Sequence, residues 1–156
     1  MALETIEREQ VVRGLSPKQL YDVVTDYPCY PRIFPEFTGC RVVSEDGATK
    51  RVEFRARVAV VEVRYVLDIV HDTEHFKTEW TFVEGEVVSD SKGGWQFIPE
   101  GGDTRIRYHA GMAIRAPLPK FVTNKVSNAL MGTSIPNMFR ALEREAQART
   151  EYSKRS

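Results

Sequence analysis

The feature that most constrains the fold is the order of elements late in the chain, where strands give way to one long helix. Residues 94–99 form a tryptophan-bearing strand pattern, and residues 104–114 alternate apolar with charged side chains. From Pro119 to about Arg149 the apolar residues recur at helical spacing instead. Amphipathic strands that end in one long amphipathic helix predict a curved sheet packed around that helix, with a hollow between them.

Short helices are predicted between the first strand and the rest of the sheet. Residues 3–12 alternate loosely, which is typical of a strand. Ser16 and Pro17 supply the preferred N-cap and first residue of a helix that we expect to end near Thr25. The prolines between residues 28 and 35 then restrict the chain to at most one short helical turn.

The middle of the chain alternates in the manner of antiparallel strands. Residues 41–45 and 50–61 flank the hairpin signal Asp46-Gly47. Two further alternating runs cover residues 63–69 and 76–82. One face of these strands is apolar and the other is charged, which favours a sheet with one covered face. The inward side chains that we expect to line the hollow, from these strands and the last one, are Phe54, Tyr65, Leu67, Thr78, Trp80 and Met112.

The predicted fold class is therefore α+β. We expect an antiparallel sheet of about seven strands, two short helices after the first strand, and a long C-terminal helix. At 156 residues the chain has room for one such domain. We place that domain at residues 1–151 and treat residues 152–156 as a frayed tail.

Composition narrows the classes of function. Lysine plus arginine and aspartate plus glutamate both number 22, so the net charge of zero does not draw the protein onto nucleic acid or an anionic membrane. No stretch approaches the roughly 18 apolar residues of a membrane span, and residues 1–7 lack the apolar core of a signal peptide. Cys29 and Cys40 are too far apart for a zinc ligand pair, and we interpret them as free thiols. The sequence therefore predicts a cytoplasmic protein.

The apolar pattern of the long C-terminal helix changes phase near its middle. Val122, Val126 and Leu130 form one stripe. The second stripe, which is out of phase with the first by roughly 160°, consists of Met131, Ile135, Met138, Phe139, Leu142 and Ala146. Gly132 and Pro136 lie at the change. Because proline removes a helical hydrogen bond, a kink or a break is favoured there.

Two arrangements of this helix are compatible with the sequence. In the first, the helix breaks near residues 132–135 and both stripes reach the core. In the second, the helix is continuous and its first half turns Asn124, Ser127 and Asn128 inward. Their side chains could then orient an oxygen atom of a ligand. The two arrangements differ in whether the hollow is apolar throughout or has a polar end.

The chain lacks the sequence signatures of metal, nucleotide and nucleophile chemistry, so we expect no metal and no cofactor. The three histidines are predicted to be solvated, and the glycine pairs at 93–94 and 101–102 to lie in turns at strand ends. No catalytic residue is assigned. The candidates are Tyr65 and Tyr108, whose hydroxyls could polarise a carbonyl group in an apolar hollow.

Three segments of the chain resemble one protein family. Residues 26–35 are similar to the Asp-x-x-x-Tyr-Pro-x-Phe-Leu-Pro signature of the polyketide cyclase/dehydrase branch of START-like proteins, in the SRPBCC superfamily. Residues 94–97 look like the Gly-x-Trp-x-Phe strand of that family, and residues 138–146 resemble its C-terminal ending. Within the branch, the resemblance is closest to coenzyme Q-binding proteins and to relatives of the ribosome-association toxin.

The resemblance implies a helix-grip fold, in which the curved sheet and the long C-terminal helix enclose an apolar cavity. It also implies a hydrophobic ligand, such as a lipid, a polyprenyl quinone or an aromatic polyketide. Pockets for small molecules have volumes of about 300–1,000 Å³, and we expect a cavity in that range. The ligand-binding positions that the resemblance implies are Phe34, Trp95, Phe97 and Tyr108, with Val126 and Leu130 on the helix.

The sequence favours binding or transport of a hydrophobic small molecule without chemistry, because the inward surface is apolar and carries no catalytic constellation. One alternative is a cofactor-independent aromatase, cyclase or dehydratase. Another is a ribosome-associated regulatory protein that presents the arginine-bearing faces of its strands to RNA. The sequence specifies neither the ligand nor the oligomeric state.

Overall fold

Antiparallel strands form one seven-stranded sheet in the computed structural model, which describes residues 5–58, 61–115, 119–127 and 135–155. The strands are β1 (Thr5–Val12), β2 (Phe37–Asp46), β3 (Thr49–Val58), β4 (Val61–Asp72), β5 (Lys77–Gly85), β6 (Val88–Glu100) and β7 (Asp103–Ile114). Their order in space is β1-β7-β6-β5-β4-β3-β2, so the first strand pairs with the last. The α+β class and the number of strands are confirmed.

Helices cover the inner face of this sheet. They are α1 (Pro17–Val24), α2 (Tyr30–Ile33), α3 (Lys120–Ser127) and α4 (Ile135–Arg155), with a 3₁₀ turn at Tyr27–Cys29. The start of α1 is the predicted one. Ser16 Oγ accepts from the backbone N–H of Gln19 at 3.2 Å, and Gln19 Oε1 accepts from the N–H of Ser16 at 2.7 Å. The two short helices after β1 are thereby confirmed.

The predicted change of phase lies between Gly132 and Pro136, and residues 132–134 of that stretch lie outside the described residues. Pro136 is the second residue of α4, a position where its missing N–H forfeits no helical hydrogen bond. The second apolar stripe packs into the core as predicted, with Ile135, Phe139 and Leu142 buried. No helix in the described parts of the chain is long and apolar enough to cross a membrane.

The inward orientation expected for Asn124 is wrong. Val122 of α3 is half-buried and packs against the core, whereas Asn124 is exposed. Two residues along a helix correspond to roughly 200°, so the two side chains point to opposite sides. At the other end, α4 continues to Arg155, so the segment expected to fray from residue 152 is helical up to that residue.

Gly93 and Gly94 lie inside β6, so their prediction as turn glycines is wrong. Gly93 pairs with Trp80 of β5, and a Cβ atom at Gly93 would lie 2.4 Å from a carbon of the Trp80 indole. The missing side chain thus lets the indole approach the strand closely. Gly101, by contrast, adopts a φ of +67° in the β6–β7 turn, as the sequence predicts for a turn glycine.

A buried carboxylate joins three arginines on the outer face of the sheet. Glu53 of β3 is 4% exposed. Its carboxylate accepts from Arg41 Nε at 3.2 Å, from Arg55 Nε at 3.2 Å and from Arg64 Nε at 2.8 Å. Burial alone would raise the pKa of Glu53, but the three guanidinium hydrogen bonds outweigh it and lower that pKa to about 2.

We expect the stabilisation from Glu53 to depend on pH. The pKa of an unfolded glutamate is about 4.3, so the contribution is complete above that pH and is lost as the pH falls towards about 2. Glu53→Gln should lower the free energy of unfolding at neutral pH by about 1–2 kcal/mol, because the arginines stay partly solvated. Urea unfolding from about pH 5 down to about pH 2 should show the two proteins converging.

The exposed Glu151→Gln change is the control for the Glu53 experiment, since it removes the same charge at the end of α4. Its effect should stay within about 0.5 kcal/mol at every pH. A difference between wild type and Glu53→Gln that is constant across the acid range would contradict the role of the three arginines.

Candidate functional site

An apolar cavity lies between the inner face of the sheet, the segment from α1 to β2, and the first turn of α4. Its free volume is about 100 Å³, which is smaller than the expected range, because aromatic rings occupy much of the space between sheet and helices. The sequence-predicted residues that the structure brings together in the lining are Phe34, Phe54, Tyr65, Leu67, Thr78, Trp80, Trp95, Tyr108 and Met112.

The remaining predicted positions do not contribute to the described lining. Phe97 is 1% exposed and lies behind the cavity wall, where its ring stacks on that of Trp95 with centroids 5.8 Å apart. Asn124 is exposed. Asn128 and Leu130 lie outside the described residues, as does the side chain of Val126.

On the side of the cavity that follows α1, sequence reasoning predicted Phe34 but missed its neighbours. Tyr30 and Phe37 belong to its lining, and their rings lie 5.8 and 5.7 Å from that of Phe54. The Phe54 ring in turn stacks on Tyr65 at 5.3 Å. The available signal was the alternation that places Phe37 in β2, but the predicted strand began only at Arg41. Glu36, one residue before β2, was missed for the same reason.

Three hydroxyl groups of the lining have no hydrogen-bond partner among the described residues. They belong to Tyr65, Thr78 and Tyr108, which are 6%, 3% and 7% exposed. Burial raises the pKa of both phenols well above its usual value, so both remain protonated at neutral pH. They can therefore donate a hydrogen bond to an oxygen atom in the cavity, but they do not act as bases. Tyr30 differs, because its hydroxyl donates to the carbonyl oxygen of Val24.

Tyr27 connects the cavity wall to a histidine. His71 Nδ1 lies 3.0 Å from the carbonyl oxygen of Ala48, which can only accept, so this nitrogen carries the proton. The other ring nitrogen, Nε2, then accepts from the Tyr27 hydroxyl at 2.7 Å. The prediction of a solvated His71 is wrong, since the ring is half-buried, and burial lowers its pKa. The two residues lie 44 positions apart, and no local pattern indicates their pairing.

A larger concavity, which we call the outer groove, lies on the opposite face of the sheet and has about 380 Å³ of free volume. Its walls combine charged and amide side chains with Thr78, Trp95 and Tyr108, and the Arg107 guanidinium donates to Glu9 across it at 2.5 Å. Mixed, ion-paired charges favour water over an apolar ligand. The inner cavity is therefore the better candidate, although it is smaller. The charged and amide side chains of the outer groove are Glu7, Arg8, Glu9, Lys77, Glu79, Gln96, Arg107 and His109.

Solved structures share this architecture over almost the whole chain. A protein of Thermus thermophilus superposes with a TM-score of 0.80 at 22% identity, covering 93% of this chain and 98% of the other. The Zhui aromatase/cyclase of Streptomyces sp. R1128 gives 0.81 at 16% identity, with 96% of each chain covered. A START superfamily protein of Mycobacterium smegmatis gives 0.75 at 16%, covering 92% and 97%. At these identities the likeness establishes the helix-grip fold alone.

Comparison of sequences shows to which family the chain belongs. A search among curated proteins gave no significant match. The sequence profile described as "Polyketide cyclase / dehydrase and lipid transport" matches residues 14–139, from the end of β1 to the second turn of α4. This stretch contains every described residue of the cavity lining. Since the match extends over most of the chain, the protein belongs to the polyketide cyclase/dehydrase and lipid transport family.

Proposed function

We propose that the protein binds a neutral hydrophobic molecule in the inner cavity and that Tyr65 and Tyr108 hold an oxygen atom of that molecule. The observation that carries the proposal is a pair of phenol hydroxyls that belong to buried residues of the lining and have no hydrogen-bond partner among the described residues. A hydroxyl in this position can donate to a ligand oxygen, and such a hydrogen bond contributes about 0.5–1.5 kcal/mol. A carbonyl or ether oxygen of a ligand would restore the missing hydrogen bonds.

The size of the cavity limits what it can hold without rearrangement. A dry engineered cavity of about 150 Å³ accepts benzene. The inner cavity, at about 100 Å³, is smaller than that, so even one substituted ring requires some movement of the lining. A lipid, a quinone or a polyketide would have to displace side chains, and flexible Met138 at the start of α4 is the lining residue best suited to move.

We favour the role of a ligand carrier over that of an enzyme. Both free phenols stay protonated, and the described lining holds neither a cysteine nor a histidine. Such a site orients an apolar molecule, and its described part offers no cysteine as a nucleophile and no histidine to activate a hydroxyl group. The family description names lipid transport, which supports the same class of ligand. Coenzyme Q, a ribosomal partner and a cytoplasmic location remain predictions.

A cofactor-independent cyclase is the second candidate, and one observation favours it. The hydroxyls of Tyr65, Thr78 and Tyr108 are not tied to core partners in the described structure, so they could polarise a ketone. One similar structure is named an aromatase/cyclase. Turnover of a poly-β-ketone that Tyr108→Phe abolishes would support this candidate. Binding without turnover would support a carrier.

Ligand binding can be followed through the protein's own fluorescence, because both tryptophans of the chain, Trp80 and Trp95, line the cavity. We expect para-propylacetophenone, a neutral aromatic ketone, to quench this fluorescence saturably. Tyr65→Phe and Tyr108→Phe should each weaken binding by about 3- to 10-fold, the equivalent of a hydrogen bond of about 1 kcal/mol. Neither change should lower thermal stability, since each removes an unpartnered hydroxyl.

Tyr21→Phe is the matched control for these variants. Its hydroxyl is also buried and without a partner among the described residues, but the side chain does not line the cavity. The ketone should bind this variant as it binds the wild type. Quenching that never saturates, or equal affinity in all four proteins, would contradict the proposed role of the two phenols.

A further inference from the structure

One carboxylate belongs to the lining of the aromatic cavity. Glu36 lies just before β2, and its backbone carbonyl accepts from the N–H of Arg57 at 3.1 Å, which fixes this part of the chain against the end of β3. The side chain is half-buried. The other described residues of the lining are apolar, aromatic, or neutral hydroxyl-bearing side chains, or glycine.

The charge of Glu36 has no counterion in the described structure. The ion pairs among the described residues do not include it, although the neighbouring outer face holds several arginine–carboxylate pairs. Residues 128–134, which separate α3 from α4, contain neither lysine nor arginine. An unpaired, half-buried carboxylate at the cavity wall can accept a hydrogen bond from a ligand and repel a second negative charge.

Glu36 lies on the same side of the cavity as Tyr65. Phe37 follows it directly and contacts Phe54, whose ring stacks on Tyr65. Burial is the main cause of the raised pKa of Tyr65, and the charge of Glu36 adds to it. Tyr65 and Glu36 therefore bring one donor and one anionic acceptor to the same side of the cavity, while Tyr108 contributes a donor from β7.

We propose that Glu36 sets the specificity of the cavity for neutral molecules that carry a hydroxyl group, such as phenols and alcohols, and against carboxylates such as free fatty acids. The inference rests on the proposed function and defines its substrate class. A hydroxyl group can donate to the Glu36 carboxylate while its own oxygen atom accepts from Tyr65. A ligand carboxylate would place a second negative charge beside the first, which selects against it.

The test compares three ligands that share one ring and one side chain and differ in their polar group: para-propylphenol, para-propylbenzoate and para-propylacetophenone. At about pH 7.5 the phenol and the ketone are neutral and the benzoate is anionic. Calorimetry measures the three affinities in the wild type and in Glu36→Gln. The exposed Glu74→Gln, in the β4–β5 turn, is the control that removes the same charge away from the cavity.

We expect Glu36→Gln to lower the ratio of phenol affinity to benzoate affinity by about tenfold or more, which corresponds to about 1.4 kcal/mol. The change in this ratio is the readout, since a benzoate is harder to desolvate in any apolar site. Affinity for the ketone, which carries neither charge nor donor, should change less than about twofold in Glu36→Gln. Glu74→Gln should behave as the wild type for all three ligands.

The outcomes separate this inference from the function on which it rests. If the ketone binds but Glu36→Gln leaves the phenol-to-benzoate ratio unchanged, the role of Glu36 is overturned and the hydrophobic site stands. A ratio that changes equally in Glu74→Gln also overturns it, because the effect would then come from net charge. If none of the three ligands binds, the proposed function fails, and the inference fails with it.

Discussion

Replacing Leu142 by alanine is expected to lower the free energy of unfolding by about 2–5 kcal/mol. Leu142 is fully buried in the middle of α4, in the stripe that seals the core. Its truncation removes apolar contacts and leaves a cavity that the fixed helix cannot close. α4 is held in place by its packing on α1 and by Gln19 Nε2, which donates to Thr150 Oγ1 at 2.6 Å. Urea unfolding followed by circular dichroism measures the loss.

The control for Leu142 lies two residues away in the same helix. Arg144 is exposed, and Arg144→Ala should change the free energy of unfolding by less than about 0.5 kcal/mol. If Leu142→Ala were as mild as Arg144→Ala, α4 would not be the element that closes the core.

Gly93→Ala is expected to destabilise the protein by about 3 kcal/mol or more. The new Cβ atom would lie 2.4 Å from the carbonyl oxygen of His109 and 2.4 Å from a carbon of the Trp80 indole. The carbonyl belongs to the paired strand β7, so relief requires a shift of backbone as well as of the ring. Because Trp80 lines the cavity, the variant should also change the emission of tryptophan and weaken binding of the aromatic ketone.

Gly102→Ala provides the comparison for Gly93. A Cβ atom there would meet no atom within 4 Å, and the φ of Gly102 is not in the left-handed region. The substitution should leave the free energy of unfolding unchanged or raise it by about 0.5 kcal/mol, because alanine reduces the conformational entropy of the unfolded chain. Equal effects of the two substitutions would show that the close approach of Trp80 to β6 is not a constraint.

The alternating pattern of the strands predicted the structure more reliably than any other feature of the sequence. Alternation with a period of two fixed which side chains of β3, β4 and β5 face inward, and Phe54, Tyr65 and Trp80 are in the cavity for that reason. The capping box at Ser16 and the apolar stripe of α4 were predictable on the same local grounds. Local patterns therefore determined the sheet, the fold class and six members of the lining, whereas Phe34, Trp95 and Tyr108 came from the family resemblance.

The features that sequence reasoning missed depend on contacts between distant segments. Tyr27 meets His71 only because the 3₁₀ turn after α1 packs against β4, 44 residues later. Gly93 was predicted to lie in a turn because its contact with the Trp80 indole is not visible in the local sequence. Glu36 was missed because β2 begins at Phe37, whereas the predicted strand began at Arg41. Asn124 was expected to face inward in only one of the two arrangements of the helix. Because Val122 packs against the core instead, α3 has the opposite orientation.

The most direct test of the central claim is where an apolar ligand lies when bound. Isotope-filtered nuclear Overhauser spectra of the protein with para-propylacetophenone report proton contacts within about 5 Å of the ligand, of the order of direct side-chain packing. We predict contacts to the rings of Phe54, Tyr65 and Trp80, which line the inner cavity and not the outer groove. Contacts to Lys77, Gln96 and Arg107 of the outer groove instead, or no contacts at saturating ligand, would contradict the account.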